Sequence, residues 1–424
     1  MVLFSPLNSV NDASELPWLA SANAAEAWAC CKKQDAFSKA LLSKFRLSAS
    51  QLQLLQTQAE FATGPAKRKV AKPWNWFWTK TLLEQASDEW TAEETAKDFP
   101  SDAQVVDGCC GAGVDSIKIA EHLSQSGDFK NRITAIDSSQ IACQLTRLNS
   151  LSNGFALSPE PIRIEDSSIP SGAWLHLDPD RRATGRTVNV YATDPSWPAI
   201  SGLICKAPGA SIKVAPGFQP DDDFPWDTCG PPEARRWISR DGSVRQQRLY
   251  WRIPRWENAK RIVSAFRKGP GWYHEVFTEE ICPSHEAFTH IEQDAARIKE
   301  SAFVADQDPA LRAAGCVVSL AIRMQMRVLG NEFGYCSADQ PVLHPMLRWY
   351  RVWDAMPLDR KKIRAMTRTQ KVGRWELKSR NVDIDLVQLH RELVVDKDSD
   401  LVRWLLITKL GPKHICLVCE ELGP

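Results

Sequence analysis

Four aspartates, Asp107, Asp137, Asp166 and Asp178, each close a short apolar run, which is where a carboxylate must stand to meet a ligand at the end of a strand. Asp107 follows Val105-Val106 and opens the loop Gly108-Cys109-Cys110-Gly111-Ala112-Gly113, after which Ile117, Ala120 and Leu123 recur at helical spacing. That order reads as a strand, a tight loop and a helix start. Glycines in such a loop let the backbone approach a ligand with no Cβ in the way, and the first NH groups of the helix point into the same space. Asp137 ends Arg132-Ile133-Thr134-Ala135-Ile136, and its two oxygens suit the paired hydroxyls of a ribose cis-diol. Asp166, after Pro161-Ile162-Arg163-Ile164-Glu165, is placed to accept from an adenine amino group, and Asp178 closes Trp174-Leu175-His176-Leu177.

The elements that must position these acids are parallel strands with their carboxyl ends on one edge, since that edge is where open α/β sheets bind ligands. A single aspartate after a strand is ordinarily a cap or turn residue; the ordered set with a glycine loop reads as a cofactor site. Gly111, Gly113 and Ser116 match the dinucleotide fingerprint imperfectly, because serine holds the third glycine position. An acid followed by Gly-x-x-Gly-x-Gly instead resembles motif I of the class I S-adenosylmethionine-dependent methyltransferases. The loop is also similar to the Asp-x-x-Cys-Gly-x-Gly of the trimethylguanosine cap synthases. The resemblance implies that Asp107, Gly108, Gly111, Gly113, Asp137 and Asp166 hold S-adenosylmethionine.

Five further segments, in order, resemble bacterial methyltransferases that carry a THUMP-like carboxyl-terminal domain. They are Phe77 to Ser87 (Phe-Trp-Thr-Lys-Thr-Leu-Leu-Glu-Gln-Ala-Ser), Leu177-Asp178-Pro179-Asp180-Arg181-Arg182, Ile212-Lys213-Val214-Ala215-Pro216-Gly217, Asp308-Pro309-Ala310-Leu311-Arg312-Ala313 and Gly373 to Arg380 (Gly-Arg-Trp-Glu-Leu-Lys-Ser-Arg). Gln85, in the first of these, joins the cofactor residues on that resemblance. Asp180 and Asn381 depart from the family pattern, which has a small residue and a glycine there. Asp178-Pro179 is similar to the Asp/Asn-Pro-Pro-aromatic loop of amino-methylating enzymes, which implies that Asp178 and Pro179 are catalytic and orient an exocyclic amino group by accepting its hydrogen bonds. Here Asp180 replaces the second proline and Arg181 the aromatic. Arg181, Arg182 and Lys213 are candidate contacts to a polynucleotide.

Two basic clusters point to nucleic acid. From Arg235 to Lys268, arginines and lysines interleave with Trp237, Tyr250, Trp251 and Trp256, which serve either as base-stacking platforms or as core; Asp241-Gly242 is expected to turn a hairpin there. From Arg348 to Arg380, a second excess of cations includes Arg360, Lys361 and Lys362 on an expected helix, Leu358 to Met366. THUMP domains bind RNA, so the resemblance implies that this module presents RNA to the sheet domain.

The 424 residues suggest more than one domain. The expected class is α/β, a Rossmann-like methyltransferase sheet with an amino-terminal helical region and a small carboxyl-terminal α/β THUMP-like domain. The expected division is a helical region and approach segment at 1–99, the methyltransferase domain at 100–285, a connecting segment at 286–345 and the THUMP-like domain at 346–424. Within the first 70 residues Ala24 to Ala29 and Ser38 to Phe45 read most clearly as helices. No run of about 18 apolar residues suggests a membrane span, and no basic-then-apolar leader opens the sequence, so the cytoplasm is the expected location. Adjacent cysteines, Cys30-Cys31 and Cys109-Cys110 among twelve, suit a reducing compartment. Cys416-x-x-Cys419 has no second pair of ligands at zinc spacing and alternates like a strand, so no metal is expected. The expected function is S-adenosylmethionine-dependent methylation of an RNA base. The rivals are a non-catalytic RNA-binding protein of the same fold, methyl transfer to another acceptor, and an NAD-dependent oxidoreductase.

Overall fold

The computed structural model describes residues 15–34, 43–127, 132–184, 187–220, 224, 226–267, 271–278, 291–292, 298, 303–330, 334–393 and 395–423, with backbone alone at 181–184, 187–191, 227 and 291–292. The chain divides into two compact units, 1–235 with 246–258, and 236–245 with 259–424.

In the first unit, β1 (Val105–Gly108), β2 (Ile133–Ile136), β3 (Trp174–Leu177) and β6 (Ala210–Val214) form a parallel sheet in the order β2-β1-β3-β6. The second half of β8 (Ser243–Trp251) runs antiparallel to β6, from Trp251 opposite Ala210 to Gln247 opposite Val214. β1 is buried along its whole length, as a parallel strand covered on both faces must be. The helix Val114–Ser124 carries the chain from β1 to β2, burying Ile117, Ala120 and Leu123. Because β2 lies on one side of β1 and β3 on the other, the chain direction switches at β1, which leaves a crevice at the carboxyl ends of β1 and β3.

The expected strand Pro161 to Glu165 is absent. Only Glu160 pairs with β2, through its NH to Ala135 and its carbonyl to the Asp137 NH, and a single 3-10 turn, Ile164–Asp166, follows. Pro159 and Pro161 flank Glu160 and have no NH to extend the ladder. Likewise Asp178 and Pro179 are not followed by a long loop. β4 (Asp180–Thr184) starts at once and pairs with β5 (Thr187–Asp194) as a two-stranded hairpin.

The amino-terminal helices belong to this unit. Ala22–Gln34 contains the expected Ala24 to Ala29, while of Ser38 to Phe45 only 43–45 are described, and these are helical; 38–42 lie outside the described residues. A further helix, Ala49–Thr63, is closed by a capping box at Ser48 and Gln51, and Leu54, Leu55 and Ala59 pack with Trp28, Phe77 and Leu145 in one cluster.

The hairpin of β7 (Ala234–Arg240) with β8 turns at Asp241 and Gly242, φ +53° and +72°, as the Asp-Gly pair predicts. In the second unit, β9 (Arg261–Arg267) and β10 (Gly271–Phe277) pair antiparallel. Its eight-stranded sheet has the order β11-β13-β14-β12-β15-β18-β17-β16, built from β11 (Ile291–Glu292), β12 (Phe303–Gln307), β13 (Arg327–Leu329), β14 (Cys336–Ala338), β15 (Leu347–Pro357), β16 (Arg374–Ser379), β17 (Val402–Leu410) and β18 (Lys413–Glu421). The helices Arg360–Gln370 and Leu386–Glu392 cover the β16 end through Ile363 and Leu389. Residues 303–338, read from sequence as part of a connecting segment, therefore contribute three strands to this sheet.

Candidate functional site

β1 and β3 pair with Asp107 beside His176 and Gly108 beside Leu177, so their carboxyl ends bring Asp107, Gly108 and Asp178 together. The Asp178 NH donates to the Gly108 carbonyl at 3.3 Å. Each loop glycine answers a different demand. A Cβ on Gly108 would stand 2.2 Å from Ile164 Cδ1 and 2.4 Å from Leu177 Cδ2. Gly113 has φ +86°, and a Cβ would meet Thr146 Cγ2 at 2.8 Å. Gly111 also has positive φ, +57°, but a Cβ there would make only an ordinary van der Waals contact, with Leu82 Cδ2 at 3.8 Å.

Asp137 organises the loop. Its Oδ2 accepts from the Gly111 NH at 2.9 Å and its Oδ1 from the Ser139 NH at 2.8 Å, which leaves lone pairs on both oxygens for a diol. The helix Gln140–Ser152 grips the loop from the other side: Thr146 Oγ1 donates to the Gly111 carbonyl at 2.9 Å and Asn149 Nδ2 to the Ala112 carbonyl at 2.9 Å. Asn149 also accepts from the Phe77 NH at 2.7 Å and donates to the Phe77 carbonyl at 3.1 Å, which ties the approach segment to the loop.

Asp178 is met by Lys213, whose Nζ donates to Oδ2 at 2.6 Å and to Ser87 Oγ at 3.1 Å. Lys213, expected to face a polynucleotide, is thus placed against the proposed catalytic acid. Gln85 is exposed at the end of the helix Lys80–Gln85 and reaches Asp180 Oδ1 at 3.4 Å. Asp166 stands exposed on the 3-10 turn, next to the Ile164 that packs against Gly108. Arg181 and Arg182 lie on β4, and their side chains fall outside the described residues.

Behind the crevice, burial and then neighbouring Asp115 push the Asp107 carboxyl well above the usual range, and Ser116 Oγ donates to it. Burial, with the Arg248 guanidinium beside it, pushes His176 down to about 3, so the ring is neutral. Arg248, fully buried on β8, donates to Ser211 Oγ at 3.1 Å and stands 3.5 Å from Asp115 as its counter-charge. Cys109, at φ +63° in the loop, has its thiol pushed up by burial and then by Asp137, Asp178, Asp107 and Asp194. Of these acids, Asp107 is held in its protonated form by burial, Asp178 is paired with Lys213 at 2.6 Å and Asp194 with Arg163 at 3.0 Å, so Asp137 is the acid of the loop left to a ligand.

Thr146, Asn149, Ser87 and Arg248 are parts of this arrangement that the sequence did not single out by role. Ser87 lay within a quoted motif, whereas Asn149 gave no signal, since its helix also buries the polar Thr146 and Ser150.

The stretch from Arg235 to Lys268 is not an open cationic surface, which corrects that expectation; Lys268 lies outside the described residues. Trp237, Tyr250, Trp251 and Trp256 are buried, as are Arg236, Arg240 and Arg248. Arg255 pairs with Glu94 and Asp98, and Arg267 with Asp308 at 2.7 Å. In the second unit Arg360 pairs with Glu392 at 2.7 Å, whereas Lys361 and Lys362 are exposed at the start of their helix. Among the described residues no cluster of three or more His, Cys, Asp or Glu could hold a metal, and no helix is long and apolar enough to cross a membrane.

Residues 347–421 match the family described as THUMP domain-like. The whole chain is similar in fold to a candidate methyltransferase from Porphyromonas gingivalis W83, with a TM-score of 0.67, 14% identity and 100% of both chains covered. Two other solved structures match in part: a candidate methyltransferase, SMU.472, complexed with SAH (TM-score 0.30, 14% identity, 39% of this chain and 52% of that one), and a candidate class I S-adenosylmethionine-dependent methyltransferase from Listeria monocytogenes (TM-score 0.35, 12% identity, 57% and 88%). No curated protein matches the sequence. The fold is therefore one shared with the Porphyromonas gingivalis protein, a Rossmann-like sheet followed by a THUMP-like carboxyl-terminal module.

Proposed function

We propose that the protein is an S-adenosylmethionine-dependent methyltransferase that methylates a base in RNA. The observation that carries this reading is the glycine loop at the switch point of the sheet, with Asp137 accepting from the Gly111 and Ser139 NH groups and keeping lone pairs for a ligand. The donor set fits the cofactor. Asp137 offers acceptors to a ribose diol. When bound, S-adenosylmethionine supplies an electrophilic methyl group.

The chain's own residues do the positioning. Asp178 accepts from an exocyclic NH2, with the Pro179 carbonyl as the second acceptor, and so holds the nitrogen lone pair in one direction. Lys213, itself held by Ser87 Oγ, fixes the Asp178 carboxylate by donating to Oδ2 and leaves Oδ1 to the substrate. The neutral His176 and the Arg248 behind the strands support that edge without exchanging protons at neutral pH. RNA as acceptor rests on the THUMP-like module and on exposed Lys361 and Lys362. The test is to incubate the protein with isotopically labelled S-adenosylmethionine and total RNA, then to digest the RNA to nucleosides for mass spectrometry. A labelled nucleoside is expected. Labelled protein or small molecule with unlabelled RNA would refute the acceptor assignment.

A further inference from the structure

Two motifs of the second unit that methyl transfer does not use, Asp308 to Ala313 and Gly373 to Arg380, meet at one place. Asp306, on β12, is buried and accepts from Lys378 Nζ at 2.9 Å and from Arg380 Nε and a terminal guanidinium nitrogen, both at 3.0 Å. Arg312 stands within electrostatic reach of Asp306, Arg380 and Tyr335. Among the described residues its guanidinium has no hydrogen-bond or carboxylate partner, and its Nε is fully buried. The neighbouring acid, Asp308, is committed to Arg267 at 2.7 Å and to Ser239 at 2.6 Å. Arg312 feels Asp306 and Asp308 electrostatically but has an ion pair with neither.

A fourth donor lies within electrostatic reach of the same groups. Tyr335 is wholly buried, interacts electrostatically with Asp306, Arg380 and Arg312, and its hydroxyl has no partner. Gly334 brings this segment close, since a Cβ there would stand 3.7 Å from Arg380 Cβ. A buried donor and a largely buried guanidinium, both unpartnered, are costly unless something accepts from them. A protein carboxylate would normally do so, and among the described residues none is within bonding distance of Arg312.

We propose that Arg312, Lys378, Arg380 and Tyr335 form an anion site in the second unit that binds a phosphate group. Arg presents a planar fork that matches phosphate oxygens, Lys adds a point charge, and the phenol adds a neutral donor. Burial and then Asp306 push the Tyr335 phenol well above its ordinary value, so it keeps the proton it would donate. Lys378 and Arg380 retain 24% and 20% exposure of their side chains, enough for a phosphate to enter while water is largely shed. The site lies wholly in the second unit, so it stands or falls apart from the methyl-transfer reading.

The test uses the full-length protein at constant ionic strength, with inorganic phosphate replacing chloride, and reads the thermal midpoint and calorimetric heat. Phosphate is expected to raise the midpoint of the parent in a saturable way. Arg312→Gln should lower phosphate affinity at least tenfold without lowering the midpoint in chloride, because the guanidinium it removes has no ion pair to break. Tyr335→Phe should weaken binding severalfold. A merely structural Arg312 would instead lower the midpoint and leave phosphate binding alone. Absence of a phosphate response in the parent, or equal responses in parent and Arg312→Gln, would overturn the proposal. Competition by one RNA oligonucleotide carrying a 5′-phosphate or a 5′-hydroxyl then names the source. Displacement by the phosphorylated form alone assigns a terminal phosphate, equal displacement a backbone diester, and displacement by neither a free phosphate.

Discussion

At the residue scale, the central pair is Asp178 with Lys213. Asp178→Ala should retain cofactor affinity while losing methyl transfer to RNA, since Asp137, Gly111 and Asp107 are untouched; equal turnover in mutant and parent would remove Asp178 from the chemistry. Lys213→Met should reduce the rate by about ten- to a hundredfold, the worth of one charged hydrogen bond of about 1.5–3 kcal/mol, and should leave cofactor affinity nearly unchanged. If its effect falls instead on RNA affinity and its salt dependence, Lys213 contacts the polynucleotide. Gly113→Ala tests the loop geometry. Positive φ and contact with Thr146 should together cost roughly 1–3 kcal/mol of stability, and Thr146→Ser should recover part of it, because Cγ2 is the nearest atom. Denaturant unfolding of the two single variants and the double variant reads this, and no recovery would place the strain in φ alone. The glycines and Asp137 were legible because a glycine loop after a strand has few other uses. Lys213 was visible as a residue but not as a partner, since its contact with Asp178 depends on β3 and β6 lying side by side.

At the element scale, the strands with apolar runs, β1, β2 and β3, appear where those runs placed them, and the helix expected over Leu358 to Met366 is found at Arg360–Gln370. The run from Pro161 to Glu165 misled because its β-branched residues suggest a strand while two prolines around Glu160 remove the donors a ladder needs. The basic, aromatic stretch after Arg235 misled differently. Composition counts charges but not their partners, and here the arginines pair with acids distant in sequence, such as Arg255 with Glu94. Asn149 joins the helix after β2 to the approach segment, so Asn149→Ala should destabilise the first unit by about 1–3 kcal/mol through the unpaired Phe77 backbone groups. Hydrogen exchange should speed at 76–78 as well as in the glycine loop, and a change confined to one of them would deny the coupling. In the second unit burial pushes the Asp306 carboxyl up, but Arg380 and Lys378 outweigh it and hold it below the usual range. Its contribution is therefore present above the unfolded-state value of about 3.9 and lost as pH falls through the lower folded-state value. Asp306→Asn should cost about 3–5 kcal/mol at neutral pH, the typical penalty for breaking a buried ion pair. The gap to the parent should close below about pH 4, and a pH-independent gap would contradict the ionic role.

At the scale of the whole molecule, the reading requires a cofactor in the first unit and RNA on the second. Replacing Arg360, Lys361 and Lys362 by alanine should weaken RNA binding and flatten its log-log salt dependence by up to about 0.9 per lost phosphate contact on a duplex, or about 0.7 on a single strand. Because Arg360 is paired with Glu392, most of that change should come from the two lysines. Survival of both affinity and slope would make this helix face merely solvated. The central claim is nearer the loop, and calorimetric titration of the full chain with S-adenosylmethionine, S-adenosylhomocysteine and NAD tests it most directly. The account predicts saturable binding of the first two, abolished in Gly111→Val and weakened about ten- to a hundredfold in Asp137→Ala, the scale of a charged hydrogen bond. Preferential binding of NAD, or S-adenosylmethionine binding that both substitutions leave intact, would contradict it.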